Sequence, residues 1–149
     1  MHVIDSIKDE RIVRARALGT RAGRRAAGRC VIEGAGLIGQ VLAAGADLEY
    51  VLHAEAETDL CAELRDAKVP VYAVREGLLR KITGSAKPVE WLAVAMLPAE
   101  VEPGEQYGDF VVVCDKVVDP GNLGTIVRTA RALGVRDVVL TDESTDLGS

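Results

Sequence analysis

With 149 residues, 48% of them apolar, the chain is long enough for one domain, or one and a part, with a substantial core. No run of 18 apolar residues occurs, which argues against a membrane-spanning helix, and aromatics are only 3%, so Ala, Val, Leu and Gly must do the packing. The net charge of −5 hides an asymmetry: residues 1–30 carry eight Lys/Arg against three acids, while the remainder carries ten basic and twenty acidic residues. A basic end on an acidic body suits a focused contact with phosphates, and equally an ordinary solvated helix face. The start of the chain is polar and basic without an apolar h-region, so a secretory signal is not expected. Cys30, Cys61 and Cys114 are far apart and odd in number, which fits reduced core thiols in a cytoplasmic protein. No CxxC or Cys/His cluster suggests a metal site.

Taken in order, residues 5–29 read as helix interrupted at Gly19-Thr20, with Ile4, Ile7, Ile12, Val13, Ala15 and Leu18 as a loose apolar stripe. The Gly/Arg-rich stretch 21–29 reads as a loop or frayed helix. Its Arg21, Arg24, Arg25 and Arg29 are candidate phosphate contacts, because the planar guanidinium fork matches phosphate oxygens. Residues 30–33 form a short strand, 35–44 a helix stopped by Gly45, and 48–53 a buried strand. Residues 58–67 form a helix with Thr58 as N-cap and Cys61, Leu64 and Ala67 inward. A strand at 70–74, a short helix at 76–82 ending near Gly84, and a strand at 91–96 follow. This alternation predicts an α/β layered domain with at least partly parallel strands.

Residues 97–108 hold two prolines, two glycines and no apolar periodicity, and are the best linker candidate. Beyond them lie a strand at 110–114, a helix at 120–133 and a strand at 136–141. One β-α-β unit buries too little apolar surface to stand alone, so this second part is expected to be truncated or docked on the first.

Gly34-Ala35-Gly36-Leu37-Ile38-Gly39 is a literal GxGxxG between a strand and a helix, with Glu55 and Glu57 about twenty residues on. That is the form of an NAD-type dinucleotide fingerprint. Against it, Glu33 places a carboxylate where phosphates would lie, and the alternative is a small-residue helix packed closely on a sheet. His2 and His53 are lone histidines without triad partners, and His53 reads as a satisfied edge residue. Trp91 reads as core rather than as a base-stacking platform.

The richest stretch is Asp119–Gly134. An apolar strand breaks at Asp119-Pro120-Gly121-Asn122 and becomes a helical pattern with Leu123, Ile126, Val127, Ala130 and Leu133 on one face. Asn122 is read as the N-cap, Gly134 as the stop, and Arg128 lies off the apolar face. The turn is expected at the top of a strand, where open α/β sheets bind ligands. A capped helix accounts for Asn122 and Gly134, but not for Asp119-Pro120, Asn122-Leu123-Gly124 and Arg128-Thr129 together.

The run from Asp119 to Val135, DPGNLGTIVRTARALGV, closely resembles the first signature motif of the SpoU (TrmH-like) RNA 2'-O-ribose methyltransferases of the SPOUT superfamily. Arg24/Arg25 through Gly34, and then Val41–Ala46, resemble the start of the L30e-like substrate-binding domain often joined to these enzymes; Val89-Glu90 stands where many relatives carry Gln-Gly. The resemblance implies an α/β fold: an L30e-like α/β sandwich over residues 1–100, a linker at 101–108, and the first β-α-β unit of a knotted SPOUT domain over 109–149. Under it, the GxGxxG is an accident of small residues.

The resemblance further implies S-adenosylmethionine as methyl donor, RNA (23S ribosomal RNA foremost) as partner, a ribose 2'-OH as acceptor, and a homodimer for the full-length family member. The 2'-OH is a poor nucleophile until its proton is removed. The family assigns this work to the motif arginine, here Arg128, with the motif asparagine, here Asn122, shaping the site. Because arginine is a poor base, Arg128 is also read as orienting the ribose and stabilising charge. The family's cofactor motifs lie further along than Leu140, so no cofactor-binding residue is expected in these 149 residues. A non-catalytic RNA-binding module is the alternative.

Overall fold

The structure is a computed structural model that describes residues 3–54, 56–99, 101, 104 and 107–149. His2, Glu55 and half of the expected linker 101–108 (residues 102, 103, 105 and 106) lie outside the described residues. The chain divides into two compact units, Met1–Pro98 with Gly148, and Ala99–Leu147 with Ser149.

Unit 1 runs α1 (Glu10–Ala17), α2 (Arg21–Ala27), β1 (Arg29–Glu33), α3 (Ala35–Ala43), β2 (Leu48–His53), α4 (Asp59–Asp66), β3 (Val71–Ala73), α5 (Leu78–Thr83) and β4 (Trp91–Met96). Its sheet has the order β1-β4-β2-β3. β4 is antiparallel to both β1 and β2, and β2 is parallel to β3. The alternation of β4 makes it the centre of the unit. Leu92 and Val94 join one core with Ile12, Ala15, Leu18, Leu52 and Leu79, on the side of α1 and α5. Trp91, Ala93 and Ala95 join the other with Ile38, Val51, Cys61 and Leu64, on the side of α3 and α4. The expected α/β layering is therefore present, as helices on both faces of a mixed sheet.

Several local expectations change. Residues 21–27 are a true helix rather than a loop. The Thr20 side chain caps it by accepting from the Gly23 amide at 3.0 Å, and Gly28 stops it in the left-handed region at φ +63°. Ile4 does not belong to the α1 stripe; it bridges to Val74 beside β3, while Val13 is exposed. Thr58 holds the N-cap position of α4 without a side-chain cap bond, and Ala67 faces solvent. His53 is not an edge residue: β2 is an interior strand, and His53 is buried and stacked on Trp91 with ring centroids 5.0 Å apart. Trp91 is core, as read from the sequence.

Unit 2 holds β5 (Val111–Cys114), α6 (Pro120–Ala132) and β6 (Asp137–Leu140). β5 and β6 pair in parallel, Val111 with Asp137 through Cys114 with Leu140. Gly134 adopts φ +80° at the end of α6, the stop expected for it. Leu123 and Ala130 are buried beneath the helix, whereas Leu133 is 75% exposed.

Candidate functional site

The signature stretch sits where β5 ends. Two adjacent parallel strands leave their C-terminal ends side by side, and the loops that follow form a crevice there. The loop after β5 is fastened to the loop after β6 by polar contacts. Ser144 Oγ donates to the Cys114 carbonyl at 3.0 Å and accepts from the Val117 amide at 3.1 Å. Thr141 Oγ1 donates to Asp115 Oδ1 at 2.9 Å and accepts from the Lys116 amide at 3.3 Å. The Thr145 amide donates to the Val117 carbonyl at 2.8 Å. Ser144 is almost wholly buried, so its hydroxyl is an internal strut rather than a surface group. Lys116 takes a left-handed φ of +54°, unusual for a side chain of its size, and these bonds hold the loop in that shape.

At the helix entrance the expected cap moves by three residues. Asp119, not Asn122, is the N-cap: its Oδ1 accepts from the Asn122 amide at 2.8 Å, and Pro120 occupies the first helical position. The Asp-Pro pair signals this cap in the sequence, since proline is pre-set for that position. A Cβ at Gly121 would meet Asp119 Oδ1 at 3.0 Å, so a larger residue there would make the capping carboxylate give way slightly. The cap has a chemical consequence. A carboxylate already fills the positive end of α6, so an anion is not favoured there. The adjoining open groove of about 490 Å³ is lined by Lys116, Val117, Val118, Asp119, Asn122, Thr125 and Ile126. The lining is mixed: Asn122 and Thr125 offer neutral polar groups, Lys116 and Asp119 charges of opposite sign, and Val117, Val118 and Ile126 an apolar wall.

The two expected catalytic residues do not share this groove. Asn122 lines it, whereas Arg128 does not and is exposed. Six residues of α-helix separate them by about 9 Å along the axis and about 120° around it.

The four arginines expected to meet RNA also part company. Arg24 is buried, and its Nη1 donates to the Leu18 carbonyl at 3.0 Å, tying α2 to the end of α1. Arg29 is ion-paired with Glu49. Arg21 and Arg25 are exposed, one turn apart on α2. The GxGxxG does not make a dinucleotide site. β1 is an edge strand antiparallel to its neighbour, whereas the fingerprint belongs to a parallel β-α-β unit. Among the described residues no cluster of ligating side chains could hold a metal ion, and no helix is long and apolar enough to cross a membrane.

Comparison with known proteins follows the same division. Residues 9–93 match the MRM3-like substrate binding domain, and residues 109–148 match the SpoU rRNA Methylase family. The chain belongs to the SpoU rRNA methylase family, with an MRM3-like substrate binding domain ahead of the signature motif. It is similar to the 23S rRNA (guanosine(2553)-2'-O)-methyltransferase RlmP of Bacillus subtilis, 30% identical over 146 residues that cover 98% of this chain and 57% of that protein. Among solved structures, the AdoMet-bound rRNA methyltransferase from Sinorhizobium meliloti matches with a TM-score of 0.77 at 28% identity, over 99% of this chain and 57% of that one. The SpoU methyltransferase AviRb from Streptomyces viridochromogenes, in complex with AdoMet, matches with a TM-score of 0.76 at 25% identity, over 95% and 56%. The chain spans about half the length of the curated relatives it matches.

Proposed function

We propose that this chain forms the RNA-recognising and acceptor-side part of an S-adenosylmethionine-dependent ribosomal RNA 2'-O-methyltransferase. The observation that carries the reading is the SpoU signature folded as a capped helix at the C-terminal ends of two parallel strands, with Asn122 lining a groove beside Thr125, Lys116 and Asp119. A ribose 2'-OH is both donor and acceptor, and an amide such as that of Asn122 can answer both roles. Arg128 is assigned to orienting the ribose from the neighbouring helix face and offsetting negative charge as the hydroxyl loses its proton. Unit 1 is the RNA-binding domain, with exposed Arg21 and Arg25 on phosphates, Arg24 shaping that surface from within, and Arg29 half-buried beside Glu49. S-adenosylmethionine supplies the methyl group. No residue of this chain is assigned to the cofactor. A cytoplasmic location and a homodimer of the complete enzyme belong to the same reading.

The test is tritiated methyl transfer from S-adenosylmethionine to 23S rRNA, run with this chain and with the product of the complete gene, beside RNA binding by this chain. Transfer by the complete product alone, lost on Asn122→Ala or Arg128→Ala, and RNA binding by this chain are expected. RNA binding without transfer by either would leave a non-catalytic RNA-binding module and overturn the enzymatic reading.

A further inference from the structure

The register of β2 contains an irregularity that places a carboxylate between two arginines. Leu48 pairs with Ala95 and Tyr50 with Val94, so two steps along β2 oppose one along β4. Glu49 is the extra residue of a β-bulge. The faces of the strand show its effect: Leu48 and Val51 lie in the core beside α3 and α4, whereas Tyr50 and Leu52 lie in the core beside α1. Strict alternation would have put Leu48 and Tyr50 on the same face. The bulge instead leaves Glu49 on the α1 side with Tyr50.

There the Glu49 carboxylate pairs with Arg14 of α1 through one oxygen and with Arg29 of β1 through the other. Arg29 reaches it from beyond β4, on the face where Val31 packs toward the α1 core. Two guanidiniums from separate elements thus converge on one oxyanion. The Arg14 side chain is 46% exposed, that of Arg29 30% and that of Glu49 23%, so solvent and a ligand can reach all three. Ion pairs this exposed contribute little to stability. The main consequence of the arrangement is where it holds charge.

We propose that Arg14 and Arg29 form a clamp for a phosphodiester of RNA, and that Glu49 holds the place of the phosphate until RNA arrives. The proposal rests on unit 1 being the RNA-binding domain and deepens that reading by naming a site. A phosphate offers the same paired acceptor oxygens that the carboxylate does, and the guanidinium fork suits both. The cluster carries a net positive charge within the basic first thirty residues and keeps it after Glu49 is displaced. The state of Glu49 agrees: partial burial pulls its pKa upward, but hydrogen bonds from Arg29 and Arg14 and their charges more than offset this, so the carboxylate is held ionised below its ordinary range.

The experiment measures binding of a labelled RNA hairpin spanning guanosine 2553 of Bacillus subtilis 23S rRNA to the full 149-residue chain as a function of salt, with circular dichroism and thermal melting as fold controls. Each phosphate contact adds about 0.7–0.9 to the slope of log K against log salt. The Arg14→Gln/Arg29→Gln variant should weaken binding roughly tenfold and flatten the slope by about 0.7–0.9, the share of one phosphate. Glu49→Gln, which removes the competing carboxylate, should tighten binding several-fold. If Arg29→Gln disturbs the fold, Arg14→Gln alone should still flatten the slope measurably, by less than the double variant. Lys68→Gln/Lys87→Gln removes the same charge at two exposed positions elsewhere on unit 1 and should leave the slope nearly unchanged.

Unchanged or weaker binding by a folded Glu49→Gln protein overturns the proposal, as does an equal loss in the lysine control. If Arg21→Gln/Arg25→Gln weakens binding and Arg14→Gln/Arg29→Gln does not, the clamp is refuted while the RNA-binding reading stands. No binding by the parent chain overturns both.

Discussion

The two units are held together by different physics. Unit 1 surrounds a four-stranded sheet with apolar cores on both faces, and Leu52, Leu64, Leu79 and Leu92 are all fully buried. Unit 2 has two strands and one helix, and it exposes Phe110, Val113, Val118 and Leu133 by 63–75%. In place of a core it has a lattice of hydroxyl-to-backbone bonds around Ser144 and Thr141. Burial specifies shape broadly and tolerates repacking, whereas directional bonds specify the path of one loop. The recognition unit is built the first way and the signature loop the second, which is where a reacting group needs its neighbours held closely in place.

The comparison breaks most visibly at the centre of unit 1. Leu92→Ala removes a side chain shared by β4 and the α1 core and should cost about 3 kcal/mol in urea denaturation; Leu133→Ala, at the exposed end of α6, should change stability by less than about 0.5 kcal/mol. A small effect at Leu92 would mean that the core is not what holds unit 1.

Next in size is a dependence on alkaline pH. Burial pushes the Tyr50 phenol up to about 12, and its hydroxyl donates to the Arg11 carbonyl at 2.8 Å. The folded state thus favours the neutral phenol. Its contribution is complete below about pH 10 and is lost as pH rises from there through 12, by an amount on the order of 2 kcal/mol. Urea midpoints at pH 9 and 11.5 should fall more in the parent than in Tyr50→Phe.

Unit 2 should respond to polar deletions instead. Ser144→Ala leaves the Val117 amide without its partner and removes one of two bonds to the Cys114 carbonyl, which keeps the Thr141 amide, at a local cost of about 1–3 kcal/mol. Hydrogen exchange at Val117 should accelerate at least tenfold while β4 amides are unchanged; equal acceleration in both units would show that they unfold together. Asp119→Ala removes the α6 cap at a cost of about 1 kcal/mol and should speed exchange at the Asn122 amide, whereas Asn122→Ala should not.

Much of the element list was legible from the residues alone. The strands at 48–53 and 91–96 have the bounds expected, because apolar runs bounded by breakers announce themselves locally. The helix at 21–27 was obscured by its glycine and arginine content, although Thr20 and Gly28 carried the capping signal. In the motif, Pro120 pointed to Asp119 as cap, and the competing claim of Asn122 hid it. Ser144 was not legible, since its partners lie about thirty residues away and no local pattern marks such a closure.

The sequence by itself determined the alternation of elements, the charge asymmetry and the family signature, since these depend on neighbours within a turn or two of chain. Only the tertiary structure decided that β4 lies between β1 and β2, that Ser144 braces the loop after β5, and that a bulge brings Glu49 to Arg14 and Arg29. Each of these depends on register or on contacts between distant segments, and the shift of a single residue in a strand changes which face a side chain occupies.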